Sequence, residues 1–181
     1  TNNADNENHK QLLAWSESVI YSSDIIATNE EVNVWTVVFT LDSNLKNAVA
    51  SAKLYLDDVV VATASNSDIT DIANSTITFD NISNLNIPTV ESELRLAIIT
   101  NDIGYEKNGE VISNTSVTNV SISSAEGVES ASIVTVLDLT TTASNTFDIV
   151  PAIIIASVGQ TLDSGSVKVT LTVDTGTNTA T

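Results

Sequence analysis

The chain has 181 residues, with 23 acidic and 6 basic side chains and a formal net charge of −17. A surface this acidic repels nucleic acid and anionic lipid headgroups, so neither is an expected partner. The hydrophobic fraction of 42% is large enough for a packed core, although only 4% of the residues are aromatic. Val, Ile, Leu and Ala supply most of the apolar residues, and with abundant Thr they favour β-strands.

The chain contains no Cys and no Met, so disulfides give no indication of its compartment. It has no run of about 20 apolar residues, which predicts that it does not span a membrane. Residues 1–8 are polar, and neither an initiator Met nor a signal peptide is present, which is typical of a processed end. Secretion explains these features most economically, and we therefore expect an extracellular or cell-surface protein.

The first predicted region is a polar N-terminal arm formed by residues 1–17. Its apolar part, Leu12-Leu13-Ala14-Trp15, is too short to distinguish one or two helical turns from an extended segment. Such a segment needs a groove, either on its own domain or on another subunit, and Trp15 suits a subunit contact better than ligand stacking. The residues assigned to this assembly arm and the strand that follows it are Leu12, Leu13, Trp15, Val19 and Ile20.

Residues 18–145 are predicted to form the main β domain. Alternating apolar and polar segments recur roughly every 10 to 15 residues without a long helical pattern, which fits antiparallel sandwiches or barrels. In the segment 32–41 the alternation directs Trp35, Val37 and Phe39 toward the core. Asp57-Asp58 lies between two apolar runs and predicts a β-hairpin.

Residues 146–181 form the last predicted region, and part of it repeats the start of the chain. Ile25-Ile26-Ala27 recurs as Ile154-Ile155-Ala156, an offset of about 130 residues, which indicates one complete β domain followed by the first strands of a second repeat. Two strands alone cannot bury an apolar face in water. The first domain, a continuation of the chain or a neighbouring chain must therefore complete them. The residues of these repeat or exchanged strands are Ile153, Ile154, Ile155, Val167, Val169, Leu171 and Val173.

Four segments together resemble a known family. The segment 52–64 contains two apolar runs around Asp57-Asp58, and it is followed by Thr76-Ile77-Thr78-Phe79-Asp80, Leu85-Asn86-Ile87-Pro88 and the strand 93–103. This succession resembles the Ig-like tandem repeats of large bacterial cell-surface and extracellular filament proteins. The resemblance implies an all-β, antiparallel Ig-like β-sandwich of Greek-key type, here with extra terminal strands. It implies a scaffold for layers, stalks or fibres and transfers no catalytic residues.

The acidic loop 101–110 is the main candidate for a metal site. Asp102, Glu106, Asn108 and Glu110 lie within nine positions, and Ca²⁺ prefers six to eight oxygen ligands of this kind. The spacing is not that of an EF-hand, and a solvated acidic turn is the alternative interpretation. The sequence requires no cofactor, and calcium is an optional stabilising ion.

Catalytic chemistry is not expected. His9 is the only histidine and lies among the polar N-terminal residues, which argues against a Ser-His-Asp triad or a His-based metal site. Nothing selects one catalytic pair from the 23 acidic residues. The sequence therefore predicts a protein that is not an enzyme.

Two functions from different classes fit these features. The first is a structural subunit or segment of an extracellular filament, pilus-like fibre or surface layer, in which chains associate through β-strand pairing. Its partners would be copies of the same chain, in a homo-oligomer or a polymer. The alternative is an adhesin-like module that binds a host protein or a glycan, with calcium as a stabilising ion.

Overall fold

The structure, a computed structural model, describes residues 10–103, 109, 111–134, 137–140, 146–151, 153–160 and 167–174. These residues are mostly β-structure, with one short 3-10 helix at Asn66–Asp68. No helix in these ranges is long and apolar enough to cross a membrane.

The strands are numbered in chain order. They are β1 (Lys10–Leu13), β2 (Glu17–Ile25), β3 (Val32–Leu41), β4 (Val49–Leu56), β5 (Val59–Ser65), β6 (Thr76–Phe79), β7 (Leu85–Ile87), β8 (Ser92–Thr100), β9 (Ile112–Thr115), β10 (Val117–Gly127), β11 (Leu137–Thr140), β12 (Phe147–Val150), β13 (Ile153–Gln160) and β14 (Val167–Asp174).

Two antiparallel sheets form a β-sandwich. The first sheet has the strand order β2-β8-β4-β5, and the second has the order β11-β10-β3-β6, with β7 also paired to β3. The chain passes from one sheet to the other after β2, β3, β5 and β7, so many consecutive strands belong to opposite layers. The predicted fold class, an all-β antiparallel sandwich, is confirmed.

Buried apolar side chains from both sheets fill the space between them. Phe39 on β3 is fully buried, and its ring centroid lies 5.5 Å from that of Tyr21 on β2 and 6.1 Å from that of Phe79 on β6. Both contacts are edge-to-face, the favourable geometry for aromatic pairs. The contact with Tyr21 joins the two sheets. Further fully buried side chains are Leu41, Leu54, Ile77, Leu96 and Ile98.

An irregularity in β3 changes which residues face the core. The register between β3 and β10 shifts on both sides of the pair Thr36–Ser124. A bulge of this kind changes the face taken by the residues that follow. Val34 and Val37 are therefore both buried, whereas Trp35 is 37% exposed. The predicted core position of Trp35 is wrong, and those of Val37 and Phe39 are confirmed.

The predicted hairpin at Asp57-Asp58 is present as β4 and β5. Asp57 adopts a positive φ of 52°, a conformation that Asp tolerates better than most residues. Its N–H donates to the Glu93 carbonyl at 2.7 Å, and its Oδ1 accepts the Glu93 N–H at 2.9 Å. The turn is therefore attached to the start of β8.

Candidate interaction surfaces

The apolar N-terminal segment docks on its own chain. β1 pairs in parallel with β12, from Lys10–Phe147 to Leu13–Val150, and β12 pairs with β9. Leu12 is only 1% exposed, because it lies in the main hydrophobic core. The sequence left open whether this arm lies on its own domain or on another subunit, and the structure has it on its own domain.

The remaining arm residues differ in exposure. Ile20 is buried, and Leu13 and Val19 are half-buried. The Val19 carbonyl accepts a hydrogen bond from the Lys10 ammonium group at 3.3 Å. Trp15 is 54% exposed and has a positive φ of 55°, which is uncommon for a bulky residue. Among the five predicted arm residues, Trp15 therefore offers the largest exposed fraction to another molecule.

The predicted calcium loop lies largely outside the described residues. Asp102 is within them, whereas Glu106, Asn108 and Glu110 are not. Where the structure describes the chain, no group of three or more His, Asp or Glu side chains is placed to hold a metal ion. The calcium site stays a prediction.

Strands β13 and β14 form a separate antiparallel hairpin, with residue pairs running from Ile153–Asp174 to Gln160–Val167. Among the described strands, neither pairs with a strand of another sheet. Residues directly opposite each other in an antiparallel pair share one face. The register therefore places seven apolar residues together on one face, namely Ile154, Ala156, Val158, Val167, Val169, Leu171 and Val173.

The other face of this hairpin is mainly polar. It holds Ile153 and Ile155 near one end, and its remaining residues are Ser157, Gly159, Lys168, Thr170, Thr172 and Asp174. The hairpin is thus amphipathic, and two strands by themselves cannot bury an apolar face. β2 and β3, which the repeat prediction matches to β13 and β14, belong to different sheets. The second repeat stays a prediction.

An apolar cavity of ≈ 500 Å³ lies at one end of the sandwich. Two cross-strand pairs of the second sheet line it, Val34–Ala125 and Val32–Ile87. From the first sheet, the end of β2 contributes Ile25, and Ile26 follows with 58% of its surface exposed. Sequence analysis missed this cavity, because its lining comes from segments that are far apart in the chain.

Hydrogen bonds join the loop before β3 to the residues that follow β10. The Glu30 carboxylate accepts the N–H groups of Glu129 at 2.7 Å and Ser130 at 2.8 Å. Hydrogen bonds from the side chain and the backbone of Ser130 and from the backbone of Glu129 lower the pKa of Glu30. At Gly127 an added Cβ would lie 2.6 Å from a Glu30 oxygen, so a larger residue does not fit without movement. These contacts fix the loop before β3 against the end of β10 beside the cavity.

A polar network crosses the outer face of the first sheet. The Glu17 carboxylate contacts the Lys53 ammonium group at 2.6 Å and the Tyr55 hydroxyl at 2.5 Å. The Arg95 guanidinium lies 5.4 Å from the centroid of the Tyr55 ring and 2.7 Å from an Asp58 oxygen. Exposed pairs of this kind stabilise a fold only weakly. The network makes this face polar, which distinguishes it from the apolar cavity.

Replacing Glu17 with Gln is expected to reduce the loss of stability in acid. Hydrogen bonds from Lys53 and then from Tyr55 lower the pKa of Glu17 below 4.5. A carboxyl group with a lowered folded-state pKa stabilises the protein at neutral pH, and this contribution disappears as the pH falls through that pKa. The difference in Tm between wild type and Glu17→Gln should therefore be present at pH 7 and decrease as the pH falls from 4.5 through the lowered folded-state pKa of Glu17.

Thermal melts from pH 7 to pH 3 measure this difference. Tyr55→Phe removes one hydrogen bond and keeps Lys53, so it should show a smaller effect with the same pH dependence. A Tm difference for Glu17→Gln that is constant over the whole range would contradict the assignment.

Comparison with known proteins finds no matching family model, no matching curated protein and no matching solved structure. Functional interpretation therefore depends on the amphipathic hairpin and the cavity.

Proposed function

We propose that the protein is a structural subunit, or a segment of one, in an extracellular assembly whose copies associate through β-strand pairing. The observation that carries this proposal is the hairpin of β13 and β14. Its register places seven apolar residues on one face, and among the described strands it pairs with no other sheet. A filament, a pilus-like fibre or a surface layer would each provide a partner surface for this face.

Among the described strands, both strands of the hairpin are sheet edges, which supports association through the backbone. An edge strand presents N–H and C=O groups that can pair with a strand of another chain. Main-chain hydrogen bonds then supply affinity, and alternating side chains fix the register. β14 has the required alternation, with Val167, Val169, Leu171 and Val173 separated by polar residues.

The resemblance of roughly residues 18–130 to Ig-like tandem repeats supports the same proposal, because such repeats build extracellular scaffolds. The net charge of −17 opposes contact between copies. At physiological ionic strength the Debye length is about 8 Å, so repulsion between distant surface charges is largely screened. Association is therefore best measured near that ionic strength.

A matched pair of β14 variants tests the proposal. Leu171→Lys places a charge on the apolar face of the hairpin, whereas Thr170→Lys makes the same change on the polar face of the same strand. Burying a lysine against an apolar surface is costly. We expect wild type and Thr170→Lys to form oligomers or fibres and Leu171→Lys to remain monomeric.

Light scattering and negative-stain electron microscopy measure the outcome, and circular dichroism checks that each variant is folded. A wild-type protein that stays monomeric at all concentrations would overturn the proposal. The adhesin-like alternative would then be tested with glycan binding and calcium titration. Equal assembly by the two lysine variants would show that the apolar face is not the contact.

A further inference from the structure

The connection between β1 and β2 is short and strained. Ala14, Trp15 and Ser16 join the two strands, which belong to different sheets. Trp15 has a φ of 55°, and this left-handed conformation is costly for a bulky residue because its Cβ approaches the following carbonyl oxygen. Its side chain is 54% exposed, so burial offsets little of this cost. Short connections under strain favour exchange of the attached element between chains.

β1 is attached to the rest of the domain by one short ladder and one buried side chain. Four residue pairs join it to β12. Leu12 is its one buried residue, since Lys10 and Leu13 are half-buried and Gln11 is exposed. An element with so few buried contacts opens at a lower free energy than the whole domain unfolds. β1 can therefore separate while the two sheets of the sandwich stay folded.

The position beside β12 requires a strand with the properties of β1. β12 lies between β1 and β9 in its sheet, so the departure of β1 would leave one edge of β12 unpaired. Ile149 of β12 is fully buried and is the register partner of Leu12. The same strand from a second copy restores the backbone pairing and returns a leucine to the apolar position that Leu12 occupies.

We propose that copies of this chain exchange β1, so that Lys10–Leu13 of one copy pair with β12 of another. The inference goes beyond the proposed function, because it uses a different strand from the hairpin of β13 and β14. The closed chain and the exchanged assembly contain the same β1 contacts, so relaxation of the connection at Trp15 favours exchange. Reciprocal exchange produces a closed dimer, and exchange in one direction produces an open chain of copies.

Two substitutions of Trp15 test whether strain in the connection drives exchange. Both remove the indole ring, but glycine adopts a positive φ without strain, whereas alanine does not. Each is combined with Leu171→Lys, which removes the proposed hairpin contact. Because glycine stabilises the closed chain, Trp15→Gly should form roughly tenfold less exchanged dimer than Trp15→Ala at the same concentration. Size-exclusion chromatography with light scattering measures both populations, and equal populations would overturn the inference.

Introduced cysteines show directly whether β1 crosses between copies. The chain has no cysteine of its own, and Leu13 and Val150 are register partners on neighbouring strands. Such strands lie about 4.8 Å apart, within the range of a disulfide. Leu13→Cys and Val150→Cys chains are refolded together from urea and oxidised. Each chain then has one cysteine, so a disulfide between the two substituted positions joins two copies, and we expect this linked dimer in mass spectra.

Two controls accompany the mixture. In the first, Ile72→Cys replaces Leu13→Cys, since Ile72 is 54% exposed in the loop before β6 and lies outside the exchanged strand. It reports disulfides that form by random collision. In the second, one chain carries both Leu13→Cys and Val150→Cys, and a disulfide within that chain shows that the two positions can be linked.

The outcomes separate this inference from the proposed function. Linked dimers above the Ile72→Cys control that persist with Leu171→Lys support exchange even where the hairpin contact fails. If the doubly substituted chain forms its internal disulfide and the mixture gives no more linked dimer than the control, β1 stays on its own chain and the inference is overturned. Wild-type assembly that Leu171→Lys abolishes would then still support the proposed function.

Discussion

Replacing Phe39 with alanine is expected to lower the free energy of unfolding by about 3 to 5 kcal/mol. Its side chain is fully buried, and it packs edge-on against Tyr21 of the opposite sheet and Phe79 of the neighbouring strand. The substitution removes both aromatic contacts and leaves a cavity between the sheets. Domains of this kind are typically stable by only about 5 to 15 kcal/mol, so urea unfolding should show a large shift of the midpoint.

Trp35→Ala is the matched control on the same strand. Trp35 is 37% exposed because the bulge in β3 displaces it from the core. Its removal should cost less than about half as much as the loss of Phe39, since less apolar area leaves the protein interior. Equal costs for the two variants would contradict the bulge and the burial that follows from it.

Asp42→Ala is expected to cost about 1 to 3 kcal/mol of stability. The Asp42 carboxylate accepts three hydrogen bonds of 2.8 Å, from the Thr115 hydroxyl, the Ser116 N–H and the Ser116 hydroxyl. Thr115 and Ser116 are buried. Alanine would remove an ionised acceptor and leave these donors without it, and buried polar groups without partners are costly. Urea unfolding measures the loss.

Asp42→Asn separates hydrogen bonding from charge. Its amide oxygen can still accept two of the three bonds, and its amide nitrogen can donate to the Ser116 oxygen. We expect a loss of about 1 kcal/mol or less. A loss equal to that of Asp42→Ala would show that the negative charge is required. If Asp42→Ala itself left stability unchanged, this carboxylate would not hold the junction between β9 and β10.

Local features of the sequence predict the structure correctly where interactions between neighbouring residues determine it. Asp57-Asp58 between two apolar runs correctly predicts the hairpin of β4 and β5, because a turn and its flanking alternation are short-range signals. The position of Trp35 could not be predicted in the same way. The bulge that exposes it arises from the register between β3 and β10, and these strands are distant in sequence.

For the candidate surfaces, too, some features could be predicted from local sequence and others depend on contacts between distant segments. The alternation of Val167, Val169, Leu171 and Val173 is visible in the sequence. Only the pairing with β13 places Ile154, Ala156 and Val158 on the same face. The cavity has no local signature, since its walls come from the end of β2, the start of β3, β7 and the second half of β10.

The sequence by itself determined the β-rich composition, the strand alternation, the acidic surface and the antiparallel sandwich class. These properties follow from side-chain chemistry and local periodicity. The tertiary structure decided that Leu12 docks on its own domain and that β1 pairs in parallel with β12. It also decided that segments distant in sequence line one apolar cavity. Contacts between segments far apart in the chain create these features, and a short stretch of sequence carries no information about its distant partners.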